Sequence, residues 1–101
     1  MTQYNGWTNY ETWNVKLWID NGDLSYWEEI AEEIFNYSFE TEYLSRHENA
    51  VRVLSERIKS EFEENTPTVT GCYADLLNSA LSSVDWKEIS ESIFGNLDLE
   101  D

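Results

Sequence analysis

Eight carboxylates and no cationic side chain lie between Lys16 and Arg46: Asp20, Asp23, Glu28, Glu29, Glu32, Glu33, Glu40 and Glu42. Side chains four apart on a helix are about 6 Å from each other, a spacing comparable to that of phosphates along a nucleic-acid strand. The rows Glu28/Glu32 and Glu29/Glu33 can therefore imitate a phosphate ladder. The chemistry this offers is electrostatic docking into a groove built to hold nucleic acid, with affinity that falls as salt rises. The plainer reading is a solvated helix face that keeps the chain in solution. The whole chain carries 21 acidic and six basic residues, a net charge of −15. Bare DNA and anionic membranes repel such a surface, whereas a basic protein attracts it and associates fast at low salt.

Other reactive residue types are sparse. His47 is the only histidine; it falls in a charged helix start and reads as a surface residue. Cys72 is the only cysteine, so no internal disulfide forms, and it reads as a small buried apolar side chain, with an exposed thiol as the alternative. With no signal-peptide pattern at MTQYNGW and no bilayer-length apolar run, the expected location is the host-cell cytoplasm. Asp20-Asn21-Gly22-Asp23 lacks the ligand spacing and closing glutamate of a calcium loop. No glycine-rich phosphate loop is present. The expectation is a protein without catalytic residues, metal or cofactor. Of the five tryptophans, Trp13, Trp27 and Trp86 read as core, and Trp7 and Trp18 as partly exposed. Trp18 beside the acidic rows is a candidate interface anchor, since tryptophan is enriched at binding hot spots.

The elements that must position these residues follow from periodicity and caps. Trp7 to Gly22 is the most aromatic stretch. Thr8 and Glu11 match a capping box, and Asn21-Gly22 supplies a left-handed stop, which predicts a helix over about 9–21, buried on most sides. The alternation of Trp13, Val15, Leu17 and Ile19 leaves a strand as the alternative. Ser25/Glu28 open a second helix, about 26–36, with Trp27, Ile30, Ala31, Ile34 and Phe35 on one stripe. Residues 37–44 fit loop or helix. Ser45/Glu48 start a third helix that runs to about Glu64, buried through Val51, Leu54, Ile58 and Phe62. Arg46, Arg52, Arg57 and Lys59 can pair there with Glu48, Glu56, Glu61 and Glu63. Residues 66–71 connect, with Thr68–Thr70 as a possible short strand. Helices over about 72–82 and 86–94 follow, the last with Asp85/Glu88 as its box, Val84 stapled against Ile89, and Gly95 as its stop. Trp27–Phe35 and Trp86–Phe94 agree at six of nine positions; they are either two convergent amphipathic helices or elements that pack alike. The sum is an all-α, compact single-domain bundle of four to five short helices. It spans 1–95 around Trp13, Leu17, Ile30, Ile34, Leu54, Ile58, Leu77 and Ile89. A frayed acidic tail covers 96–101, and α+β with a minor strand pair is the alternative.

Asn9-Tyr10-Glu11-Thr12-Trp13-Asn14-Val15 with Leu17-Trp18-Ile19 and Asn21, and Asp75-Leu76-Leu77, Ala80-Leu81, Val84 and Trp86–Ile89, resemble a family of small uncharacterised proteins of phages, mobile elements and some bacteria. That family is marked by YETWNV-x-LWI and DLLxxALxxVxWxEI. The resemblance implies a phage or mobile-element origin and a small helical fold, and brings no activity with it. Together with the charge, it favours an inhibitor of a basic nucleic-acid-handling host protein, such as a CRISPR effector or restriction enzyme. Such a protein would act as monomer or homodimer, without binding nucleic acid or membrane. The alternative function is a small adaptor or assembly module that buries an apolar or aromatic face in a partner.

Overall fold

The computed structural model describes residues 4–99. The described residues form five α-helices, α1 Tyr10–Trp18, α2 Leu24–Tyr37, α3 Arg46–Glu64, α4 Cys72–Ser82 and α5 Trp86–Gly95, with a π-helical turn between the first two. The described residues contain no strand; their only β-type pairing is an isolated bridge between Tyr4 and Trp7. Helix α3 is the central post, packed on α5 and α2. Its buried stripe is Ala50, Val51, Leu54 and Ile58, and it meets Ile89, Ile93 and Phe94 of α5 and Trp27, Ala31 and Phe35 of α2 in one core. Residues 97–99 do not fray as expected, because Leu97 and Leu99 pack against that core.

The sequence echo has a structural counterpart. Trp27, Ala31 and Phe35 align with Trp86, Ser90 and Phe94, and α2 and α5 both pack on α3. The small residue in each copy, Ala31 or Ser90, is fully buried. Ser90 satisfies its hydroxyl by donating to the Val51 carbonyl at 2.9 Å, which buries a polar group without the cost of leaving it unpaired. The Phe35 and Phe94 rings, which end the two copies, lie 6.3 Å apart.

Helix starts differ in how local they are. α3 begins with the predicted box: Ser45 accepts from the Glu48 N–H at 3.1 Å, and the Glu48 carboxylate accepts from the Ser45 N–H at 3.0 Å. These bonds to Ser45 hold the Glu48 carboxyl below its usual value. The box is therefore complete above the ordinary carboxylate range and is lost as acid protonates it. α1 does not use Thr8. Asn9 is its cap, accepting from the Thr12 N–H at 2.9 Å and from the Thr12 hydroxyl at 2.6 Å. Thr8 instead donates its N–H to the Glu88 carboxylate at 3.1 Å.

That bond is part of an exchange between the starts of α1 and α5. Asp85 accepts from the Glu88 N–H at 3.1 Å, as predicted, but its own N–H donates to Thr12 Oγ1 at 2.8 Å. Asn9 Nδ2 completes the stitch by donating to the Ser83 carbonyl at 2.6 Å. Thr12 is fully buried, and its hydroxyl is the acceptor of the Asp85 N–H. Thr12→Val keeps the shape and strands that N–H. It should cost about 1–3 kcal/mol of stability, read as a lower urea midpoint at unchanged slope, with Thr12→Ser recovering most of the loss.

The first helix does not stop at Asn21-Gly22. Gly22 lacks the positive φ a left-handed stop requires, and Ile19–Asp23 form a π-helical turn that runs straight into α2. Ser25 makes no cap bond, because α2 has no free start. The turn has a packing reason. α1 buries Thr12, Val15 and Lys16, the π turn adds Ile19 to that stripe, and α2 buries Trp27, Ala31 and Phe35. On an uninterrupted α-helix the step from Ile19 to Trp27 would set the stripes about 80° apart. A π turn absorbs one extra residue, so the stripes come into line and both face α5.

Candidate partner-binding surface

The buried stripe of α2 sends its other side to solvent. Glu29, Glu32 and Glu33 are exposed on the outward face, and Glu28 sits half-buried at its edge. Asp20 and Asp23 are exposed in the π turn at one end, and Glu40 and Glu42 in the α2–α3 loop at the other. The structure thus sets the predicted carboxylates along α2 and beyond both its ends, a helix of about 21 Å.

The arginines do not neutralise this ridge. Arg52 and Arg57 pair within α3, with Glu56 at 3.6 Å and Glu61 at 3.5 Å. Arg46 turns from its neighbouring acids to the end of α2. It donates to the Phe35 carbonyl at 3.2 and 3.0 Å and stacks over the Phe35 ring at 4.1 Å. Among the described residues, Asp23, Glu28, Glu29, Glu32, Glu33, Glu40 and Glu42 form no ion pair.

Asp20 is different. Its carboxylate holds the Lys16 ammonium, one turn back on α1, and Lys16 is 4% exposed. This carboxylate is spent inside the protein and adds little to the ridge. Asp20→Asn leaves a buried cation without its counter-charge. It should cost about 1–3 kcal/mol, below the figure for a fully buried pair because the Asp20 side chain is 44% exposed. Lys16→Met, which removes the charge with its desolvation, should be neutral or stabilising in the same urea titration.

A groove of about 470 Å³ lies between α2 and α3, lined by Asp23, Tyr26, Trp27, Glu61, Phe62 and Asn65. Tyr26 donates its hydroxyl to both Glu61 oxygens at 3.0 Å. Glu61 already pairs with Arg57, which leaves Asp23 beside the aromatic walls to meet a guanidinium or ammonium side chain, through charge and ring stacking. Nothing in the sequence sets Tyr26 and Glu61 together, because the groove exists only once α2 lies on α3.

The aromatic residues are placed less deeply than expected. Trp27 is buried, while Trp13 and Trp86 are only half-buried. Trp18 is 67% exposed and Leu17 also faces solvent. The α1 face opposite the buried stripe carries Tyr10 and Trp13, stacked with Tyr4 at centroid distances of 5.0 to 5.6 Å. α1 is therefore buried on one side, not most. Cys72 is exposed, not buried, because it opens α4 just after Gly71 at φ 62°. His47 is exposed, edge-on to Phe94 at 5.7 Å.

No helix of the described residues is long and apolar enough to cross a membrane. No curated protein and no solved structure matches the chain. A family model described only as a family of unknown function, DUF7249, matches residues 1–96. Matched over almost its whole length, and with the helical build expected of small uncharacterised proteins, the chain belongs to the DUF7249 family.

Proposed function

We propose that this protein is an inhibitor of phage or mobile-element type. It docks its acidic α2 ridge in the nucleic-acid channel of a basic host enzyme, such as a CRISPR effector or restriction enzyme, and occludes it without chemistry of its own. The observation that carries this reading is the unpaired state of the ridge. Arg52 and Arg57 pair within α3, and Arg46 caps the end of α2 through the Phe35 carbonyl without an ion pair, so among the described residues Asp23, Glu28, Glu29, Glu32, Glu33, Glu40 and Glu42 have no cationic partner within the chain. The α2–α3 groove offers a seat for one basic side chain beside it, and Trp18 offers exposed aromatic area near the π turn. Unspent charge of one sign steers association and makes it fall with ionic strength.

Affinity capture from host lysate at low and high salt, with mass spectrometry of the eluate, tests this reading. A nucleic-acid-handling protein held at low salt and released at about 0.5 M salt is expected. Retention of partners at high salt would instead favour an adaptor that docks through the exposed Tyr10, Leu17 and Trp18 of α1.

A further inference from the structure

α4 is the helix the core does not need. It buries no side chain, and a groove of about 700 Å³ lined by Lys59, Glu63, Thr66, Asn78, Leu81 and Trp86, among others, runs between it and α3. The radius of gyration, 14.6 Å, exceeds the roughly 13 Å of a fully compact chain of this size, and the helices that pack on one another in the body are α1, α2, α3 and α5. α4 leans on the body through Ala74, Leu77 and Leu81, all half-buried. Its outward face carries Tyr73, 74% exposed, and Leu76, 63% exposed, followed by Ser79, Ala80 and Ser83.

We infer that this face pairs with the same face of a second copy of the chain, the two α4 helices lying antiparallel across a two-fold axis. Three observations single out that occupant. The first is charge: from Asn65 to Val84 the only charged side chain is Asp75, and it lies on the flank of α4, about a quarter turn from the outward face. For a chain of net charge −15, this is the surface where two copies meet without opposing carboxylates. The second is shape. Large side chains occupy the amino-terminal half of the face and small ones the carboxy-terminal half. An antiparallel mate therefore sets Tyr73 and Leu76 of each copy over Ser79, Ala80 and Ser83 of the other, the self-complementarity a two-fold interface demands. The third is polarity. Ser83 returns its hydroxyl to the Ser79 carbonyl at 3.1 Å, so the Ser83 hydroxyl needs no partner across the interface.

The helix is short, about 16 Å, and its footprint falls well below the roughly 800 Å² per partner of a standard interface. The dimer is therefore weak, with a dissociation constant on the order of 100 μM. Salt acts on it in the opposite sense to the proposed host complex. Screening relieves the repulsion between two acidic copies, so self-association tightens as salt rises.

Sedimentation velocity of the intact chain from about 10 μM to 1 mM, at low and at about 0.5 M salt, tests the pairing. Expected is a monomer–dimer equilibrium roughly tenfold tighter at high salt, abolished by Leu76→Asp with an unchanged circular dichroism melt. In the Cys72→Ser background, Ser79→Cys should cross-link through a short bis-maleimide. Native Cys72 should not, because an antiparallel pair sets the two copies about 16 Å apart along the axis. A monomer under every condition, a dimer that survives Leu76→Asp, or efficient cross-linking through Cys72 would each overturn the inference. None of these outcomes bears on host-protein capture.

Discussion

Replacing Glu28, Glu29, Glu32 and Glu33 together with lysine should abolish low-salt capture of the host protein while leaving the fold intact. Four reversals on one ridge turn attraction for a basic channel into repulsion, and each side chain is at or near the surface. The expected loss in affinity is at least a hundredfold, because close charge pairs at protein interfaces couple by about 1.5 kcal/mol or more each. Thermal stability moves the other way. The four residues have no cationic partner to lose among the described residues, and reducing a net charge of −15 relieves self-repulsion. The variant should melt at the wild-type temperature or slightly above it. Affinity by interferometry at two salt concentrations, beside a melt, separates these effects. Unchanged affinity in a folded variant would reject the ridge as the docking surface.

Leu54→Ala should be the most damaging of the stability substitutions considered. Leu54 is 0% exposed and stands in the middle of α3, where the stripes of α2 and α5 converge. Truncation there removes apolar contact and leaves a cavity that three helices must collapse to fill. The expected cost is about 2–5 kcal/mol. For a domain of this size that lowers the melting temperature by roughly 10–30 °C, a large share of the whole stability. The loss should be worst at low ionic strength, where the acidic surface already opposes compaction. Urea titrations with and without added salt read both terms, urea being uncharged. A midpoint shift under about 0.5 kcal/mol would mean that α3 is not the central post.

The parts of this architecture legible in the sequence are those decided within one or two helical turns. Ser45 and Glu48 specify the start of α3 without outside help, and the spacing of Val51, Leu54 and Ile58 marks its buried side. What escaped was decided by residues far along the chain. Thr8 and Asn9 are adjacent and both can cap; Asn9 wins because Glu88 takes the Thr8 N–H and Ser83 takes the Asn9 amide. Asn21-Gly22 carries a stop signal that the core overrides, since Ile19 and Trp27 both enter the shared core and an extra residue in the turn aligns them. The aromatic density of α1 suggested burial all round, yet its buried residues are Thr12, Val15 and Lys16. Two of those are polar, which a hydrophobic pattern does not register. The acidic ridge was readable because it needs only helical spacing, while the groove beside it needs two helices in contact.

The stitch between the starts of α1 and α5 has a consequence for how the molecule comes into being. Its bonds join residues 73 to 80 positions apart, so the first helix cannot be locked until the last has been made. During synthesis the early aromatic segment must wait, unlatched, for its fastening to emerge from the ribosome. Assembly and loss of structure are then expected as single concerted events, and neither half of the chain should hold its shape alone.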